Sequence, residues 1–557
     1  MDGPLELAGA APLRPIGAVA EEAGLRPSEV ETHGAHVAKV EPAALQRLAP
    51  LAPGRLVLVT AITPTPRGEG KTTTALGLVD GLRRLGVRAI ATLRQPSLGP
   101  VFGSKGGGSG GGRAQVVPRE RVNLHLTGDF HAVTAAHGLA AALVDNHLHH
   151  GNALGIEPGS VTWPRAVDVN DRTLRDVVIG LGGRAQGPVR ETAFVITAAS
   201  EVMSILSLAR DVPDLRTRIG RAVVGRRRDG TVVTLEDLRA AGAVTALLLD
   251  AIKPNLLQTL EGSPVLVHTG PFGNVSHGAS SIVADRVALG LADIVVTEAG
   301  FGADLGAEKF LDIKCRQGGT SPAAAVLVAT VDALRRHGRP AGHAAVDDDT
   351  ALRRGMENLA RHLSVLRLFS LPAVVAVNRF AADGREDVES VCRAALEAGA
   401  TAAVAVDAYA RGGEGALELA GAVRDAAART PRGAPALLYP DDLPLRAKIE
   451  AIAARVYGAA TVEYTRAAVA QLDELQRLGF ASLPICVAKT HLSFSHDPLL
   501  GAHPRGFRFP VRELRLAAGA GFVTAVAGEV QLMPGLPARP AAERVDVSAD
   551  GAILGLR

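Results

Sequence analysis

Two periodicities alternate along this chain of 557 residues. Short, wholly apolar runs rich in β-branched residues are followed by segments whose apolar positions return every three or four residues. RLVLVTAIT (55–63) reads as a buried strand, TTTALGLVDGLRRLG (72–86) as a helix stopped near Gly86, and VRAIATL (87–93) as the next strand. Strand, loop, helix, strand is a βαβ unit, and such a crossover implies a parallel sheet. Further strand runs are VLVH (265–268), ADIVVTE (292–298), AVVAVN (373–378), AAVAVD (402–407) and LPICVA (483–488). AAAVLVATVDALRRHG (323–338) reads as a helix between them, and RRRDGTVV (226–233) as a hairpin. The expectation is an α/β protein throughout.

The loop after the first strand is TPTPRGEGKTTT (63–74). Glycines at such a turn let backbone N–H groups converge on a phosphate, a Lys reaches the terminal phosphates, and the next hydroxyl approaches magnesium. Thr65, Pro66, Arg67, Gly68, Glu69, Gly70, Lys71 and Thr72 are therefore the candidate nucleotide-binding residues, with Thr72 as the metal contact through Mg-ATP. Thr65 stands where the usual pattern has its first glycine. The fold expectation becomes a P-loop NTPase-like parallel sheet domain with additional α/β domains. Residues 1–150 and 250–370 form the discontinuous nucleotide-binding domain, 151–249 an inserted α/β subdomain, and 371–557 a C-terminal α/β region.

Composition narrows the function. Sixty basic and 57 acidic residues nearly cancel, which gives no support to nucleic acid as a partner. Three scattered cysteines form neither a disulfide framework nor a metal pattern. With no long apolar span and an acidic first thirty residues, the expectation is a soluble, cytoplasmic chain without membrane partners. Only eight of the sixty basic residues are Lys. Where Arg is so favoured, a retained Lys marks a place for a compact point charge. Lys71 and Lys105 read as such places, whereas Lys39 and Lys448 read as chance survivors.

RQPSLGPVFGSKGGGSGGG (94–112) has a linker's composition, yet it follows a strand closely and leads into the apolar VNLHLTGDFHAV. Arg94, Lys105 and the glycines read as a second oxyanion loop facing the first. Together with GDFHAVTAAHGL, DVNDRTLR, AIKPNLLQTLEG, GPFGNVSHG, VNRF, RGGEGALELA and MPGLPARPAAERVDV, these motifs closely resemble, in order and over nearly the whole chain, the formate–tetrahydrofolate ligase family.

That resemblance implies an enzyme of one-carbon metabolism that joins formate to tetrahydrofolate at the expense of ATP, through formyl phosphate, giving 10-formyltetrahydrofolate, ADP and phosphate. It implies Mg²⁺, a monovalent cation and a homotetramer. The candidate catalytic residues are Lys71, Arg94, Lys105, Asp129 and His131. Phe380 and Tyr409 would stack the folate ring, and Glu298 and Asp304 would line the same site. Departures from the family pattern are Gln95 for a glutamate, Arg67 for a small residue and Tyr409 for a tryptophan. Two rival readings stay open on sequence: a partner-regulated P-loop ATPase switch, and a catalytically weakened homologue that binds folate or nucleotide. Six histidines crowd positions 125–150, with no ligand spacing that points to zinc.

Overall fold

The computed structural model describes residues 13–49, 53–66, 68–104, 107–339, 346–434 and 436–556; Arg67 and Lys105 lie outside the described residues. Seven strands form a parallel array: β1 (Arg55–Ala61), β2 (Ala89–Leu93), β3 (Pro264–Val267), β4 (Ile294–Glu298), β5 (Pro322–Ala329), β6 (Ala373–Asn378) and β7 (Ala402–Val406). Their spatial order is β3-β2-β4-β1-β5-β6-β7. Antiparallel strands at Asn255–Thr259, Ala38–Val40 and Val30–Thr32 extend the β3 edge, and the whole sheet has twelve strands.

The strands alternate their side chains between two cores, as the period of two requires. Val57 and Val59 join Leu76, Val79, Leu419 and Val423 on one face, where α1 (Lys71–Arg84) and the helix Leu417–Arg429 pack. Leu56 and Leu58 join Val133, Val287 and Leu363 on the other, under α2 (Asp129–His149) and the helices Ile282–Leu291 and Asp348–Leu368. Helices on both faces leave no strand side for water, so strands read as continuous apolar runs.

That burial explains one reversal. Residues 323–338 do not form one helix: Pro322–Ala329 is β5, paired with both β1 and β6, and only Val331–His337 is helical. Every residue of β5 is buried, and two flanking ladders outweigh the helix propensity of its alanines. The hairpin at 226–233 is present, as Val223–Arg226 against Val232–Thr234. β6 and β7, counted by sequence in the 371–557 region, are hydrogen-bonded into the central sheet. The remaining C-terminal strands form separate small sheets, including Ile485–Ala488 beside Phe522–Val526.

The scarce lysines are the second reversal. Lys39 and Lys448 are fully buried. Lys39 Nζ donates to Asp129 Oδ1 at 2.7 Å, and Lys448 Nζ donates to the carbonyls of Asp441, Ala481 and Leu483 at 2.8–3.1 Å. Lys309, Lys314 and Lys489 are buried in the same way. A narrow ammonium with three rotatable donors fits these pockets, and a planar guanidinium does not.

Asp80, on α1, is buried under the turn 411–413, and burial pushes its carboxyl up to about 7. Thr259 Oγ1 donates to its Oδ1 at 2.7 Å, and Oδ2 is buried without a partner. A folded-state pKa above the unfolded value means this contribution is complete below about 4 and lost as pH rises through about 7. The stability advantage of Asp80→Asn over the parent should therefore grow by up to about 1.4 kcal/mol per pH unit between pH 5 and 7, then level. Chemical denaturation at several pH values checks this, and parallel curves for both proteins would contradict it.

Candidate functional site

Five of the seven parallel strands, β1, β2, β4, β6 and β7, carry candidate residues at their C-terminal ends, where open α/β sheets hold ligands. β1 ends in the loop read from the sequence as a phosphate loop. Gly68 and Gly70 take left-handed φ of +76° and +77°, and a Cβ on Gly70 would stand 2.9 Å from Asn378 Nδ2. Gly70 caps the 14-residue α1, so the loop sits at a helix N-terminus. Thr65 N donates to Glu69 Oε1 at 2.7 Å and Thr65 O accepts from Gly68 N at 3.0 Å, closing a tight turn without the expected first glycine. Glu69 is buried, and desolvation raises its carboxyl while Lys71 opposes the shift.

Three neighbours brace this loop. Asn378, at the end of β6, donates from Nδ2 to Glu69 O at 2.7 Å and accepts from Thr74 Oγ1 at 3.0 Å. Thr63, at the loop's start, accepts from Asn358 Nδ2 at 2.8 Å, faces His362 Nε2 at 3.0 Å, and its carbonyl takes His337 Nε2–H at 2.7 Å. Burial pushes His337 down to about 4 and His362 to about 3, so both brace the loop as neutral rings across the physiological range.

β2 and β4 supply the charges. Arg94 follows β2 and donates from Nη1 to Pro271 O at 3.1 Å, while its Nε is buried without a partner. Glu298 ends β4 and accepts from Thr72 Oγ1 at 2.8 Å. Burial pulls the Lys71 ammonium down, Glu69 and Glu298 support its charge, and Arg94 opposes it. Glu298 also supports the Arg94 guanidinium against burial. Lys71, Thr72, Arg94 and Glu298 therefore form one electrostatic cluster.

β6 and β7 supply the aromatics. Phe380 and Tyr409 follow these neighbouring strands and remain 46% and 54% exposed. A Cβ on Gly111 would touch Tyr409 Cε2 at 3.1 Å and Thr73 Oγ1 at 3.8 Å. The glycine-rich segment thus lies between Tyr409 and the first turn of α1. Arg113 N donates to Tyr409 O at 2.8 Å, which fixes the turn. Two exposed rings on neighbouring strand ends have the faces that a stacking site needs.

A family model described as formate–tetrahydrofolate ligase matches residues 3–557. The chain belongs to that family. It is 55% identical over 563 residues to the formate–tetrahydrofolate ligase of Roseiflexus sp. (strain RS-1), 54% over 562 residues to that of Saccharopolyspora erythraea, and 52% over 556 residues to that of Methylobacterium sp. (strain 4-46). In each case 99% of both chains is covered.

Within this formate–tetrahydrofolate ligase family member, the expected residues do not all meet in one cluster. Glu298, grouped with the folate by resemblance, makes its hydrogen bond to Thr72 in the first turn of α1. Asp129 is buried against Lys39 and also accepts from Asn255 Nδ2 at 2.7 Å. Asp304 is buried against Lys489 Nζ at 2.8 Å. His131 is exposed, with Nε2 2.7 Å from His125 Nδ1. His137, in the same histidine-rich segment, is buried and stacked on Trp163. Among the described residues no cluster of three or more His, Cys, Asp or Glu is placed to hold a metal ion, and no helix is long and apolar enough to cross a membrane. Sequence reasoning missed Asn378, although the VNRF motif that carries it was in view. It also missed Gln95 as a buried group, whose amide oxygen and nitrogen both lack partners.

Proposed function

We propose that the chain ligates formate to tetrahydrofolate using ATP, through formyl phosphate. The carrying observation is the convergence of Lys71, Thr72, Arg94 and Glu298 beside two exposed aromatics on adjacent strand ends. A formate oxygen attacks the γ-phosphorus and ADP leaves. The phosphate-loop amides and Lys71 stabilise charge on the transferring group. Arg94 then holds the formyl phosphate. The folate amine attacks the formyl carbon, phosphate leaves with the C–O bond electrons, and the amine gives up its proton. Phe380 and Tyr409 hold the folate ring so that the amine meets the carbonyl as a positioned neighbour.

A hydroxyl and a carboxylate in contact suit the oxygen preference of Mg²⁺, and Thr72 and Glu298 are the residues that would hold it. When bound, that ion neutralises charge on the nucleotide phosphates. Lys105 and Arg67 belong to this reading as further phosphate contacts, with the monovalent cation, the homotetramer and a cytoplasmic location carried over from the family resemblance. The partner-regulated switch is not favoured, because relatives 50–55% identical over the whole chain bear the ligase name.

The test is to supply Mg-ATP, formate and tetrahydrofolate, acidify, and read the absorbance of methenyltetrahydrofolate. Product should require all three substrates. Phe380→Ala and Tyr409→Ala should each raise KM for tetrahydrofolate by roughly 5- to 100-fold, the range that loss of one stacked ring gives. A complete mixture without product would overturn the ligase reading.

A further inference from the structure

The guanidinium of Arg94 lies between two turns of backbone. One wall is the turn 271–278: Pro271 O accepts from Arg94 Nη1 at 3.1 Å, and a Cβ on Gly278 would stand 3.9 Å from the same nitrogen. The other wall is Gly300, just past β4, where a Cβ would stand 3.1 Å from Arg94 Nη2. The walls meet, since Gly300 N donates to Gly278 O at 2.9 Å. Arg94 Nε is buried without a partner. Nε and Nη2 share the edge on which a guanidinium takes an oxyanion through two parallel N–H donors. The bond from Nη1 to Pro271 O therefore sets where that edge points.

Lys309 holds the turn that carries Pro271. It is fully buried between the π-helical turns Ala303–Ala307 and Phe310–Cys315, a rare geometry found often at functional sites. Its Nζ donates to Gly273 O at 2.7 Å and to Asn274 O at 3.0 Å. Lys39, Lys314 and Lys489 are set against carboxylates, whereas Lys309 gives these hydrogen bonds to successive carbonyls of one turn. The helix beside Lys309 also presses on the opposite wall, because a Cβ on Gly306 would collide with Gly300 O. Phe301 completes the junction: a Cβ on Gly273 would meet its ring at 2.9 Å. One ammonium thus fastens the Pro271 wall to the element packed on the Gly300 wall. A charged donor makes a stronger clamp than a neutral one.

We propose that Lys309 is a positioning residue for Arg94, fixing the 271–278 turn so that the Nε–Nη2 edge meets the formyl phosphate. The proposal rests on the reading of Arg94 as the group that holds that intermediate.

The experiment compares Lys309→Met, Arg94→Met and the double variant, with each substrate varied in turn. Lys309→Met should lower kcat about 10- to 100-fold, the scale of a displacement of about 1 Å at a reacting group, with KM for ATP and for tetrahydrofolate within about threefold of the parent. Arg94→Met should itself lose about 10²- to 10³-fold, which accumulated product still measures. In that background Lys309→Met should add less than about a twofold loss, because its effect runs through a group no longer present. A lysine that only stabilises the fold would lower the melting temperature and cost the same factor in both backgrounds. Lys309→Gln, which keeps an amide donor, should stand between the parent and Met, and it takes the place of Met in the comparison if Met does not fold. A loss as large in the Arg94→Met background as in the parent, or no loss in the parent, would overturn the proposal. Arg94→Met alone separates the two levels of argument. If its kcat stays within about tenfold of the parent, the reading of Arg94 falls and the positioning role with it; if it is slow and the two losses add, only the positioning role falls.

Discussion

Lys71→Ala is expected to lower kcat/KM for ATP by at least about 10³-fold, with the protein still folded. The Lys71 ammonium stands with Thr72, Arg94 and Glu298 at the N-terminus of α1, in surroundings where burial strengthens each charge. Removing one preorganised stabiliser of a transition-state charge costs about 10² to 10³ in rate, and Lys71 also contributes to binding the phosphates before reaction. The loss should fall mainly on kcat. Lys71→Arg should not restore it, since the wide fork replaces a point charge in a loop braced on both sides by Asn378 and Asn358. Steady-state assays of product, with circular dichroism as the folding control, decide the matter. Activity of Lys71→Ala within tenfold of the parent would remove Lys71 from the transferring step.

Lys489→Met is expected to carry the largest stability cost, about 3–5 kcal/mol. Lys489 Nζ is completely buried, 2.8 Å from Asp304 Oδ2, and donates to the carbonyls of Thr490 and Ser493 as well. The variant would leave Asp304 as an unpaired buried carboxylate. Lys489 follows the strand Ile485–Ala488 of a C-terminal sheet, whereas Asp304 lies just beyond β4, so the pair ties that region to the central sheet. Denaturant midpoints measure the loss. The double variant Lys489→Met, Asp304→Leu should recover much of it, because no charge then remains to be desolvated. A double variant no more stable than the single one would show that the lysine acts through its carbonyl contacts instead.

These lysines also show how far the sequence could be read. Only eight of the sixty basic residues are Lys, and five of them, Lys39, Lys309, Lys314, Lys448 and Lys489, are buried where a compact ammonium fits. Lys39 and Lys448 were misjudged because burial is a property of the packed chain: Asp129 lies 90 residues from Lys39, and Ala481 lies 33 residues from Lys448. The tight glycine turn before α1 was legible because its geometry is local. Gly68, Gly70, Lys71 and Thr72 are consecutive or nearly so, and the positive φ of the glycines follows from their type. β5 was misread because a fully buried strand of alanine and valine has no polar face to set its period.

By itself the sequence determined the α/β class, the glycine-bearing loop between β1 and α1, the apolar runs of most parallel strands and the family to which the chain belongs. Each of these is written in neighbouring residues or in motif order. The tertiary structure alone decided that Thr72 meets Glu298 from 226 residues away and that Asn378 braces Glu69 across 309 residues. It also took Asp304 into a buried ion pair with Lys489. Those outcomes follow from strand order. Parallel strands distant in sequence place their C-terminal ends side by side, and only that placement brings Thr72, Glu298 and Asn378 together.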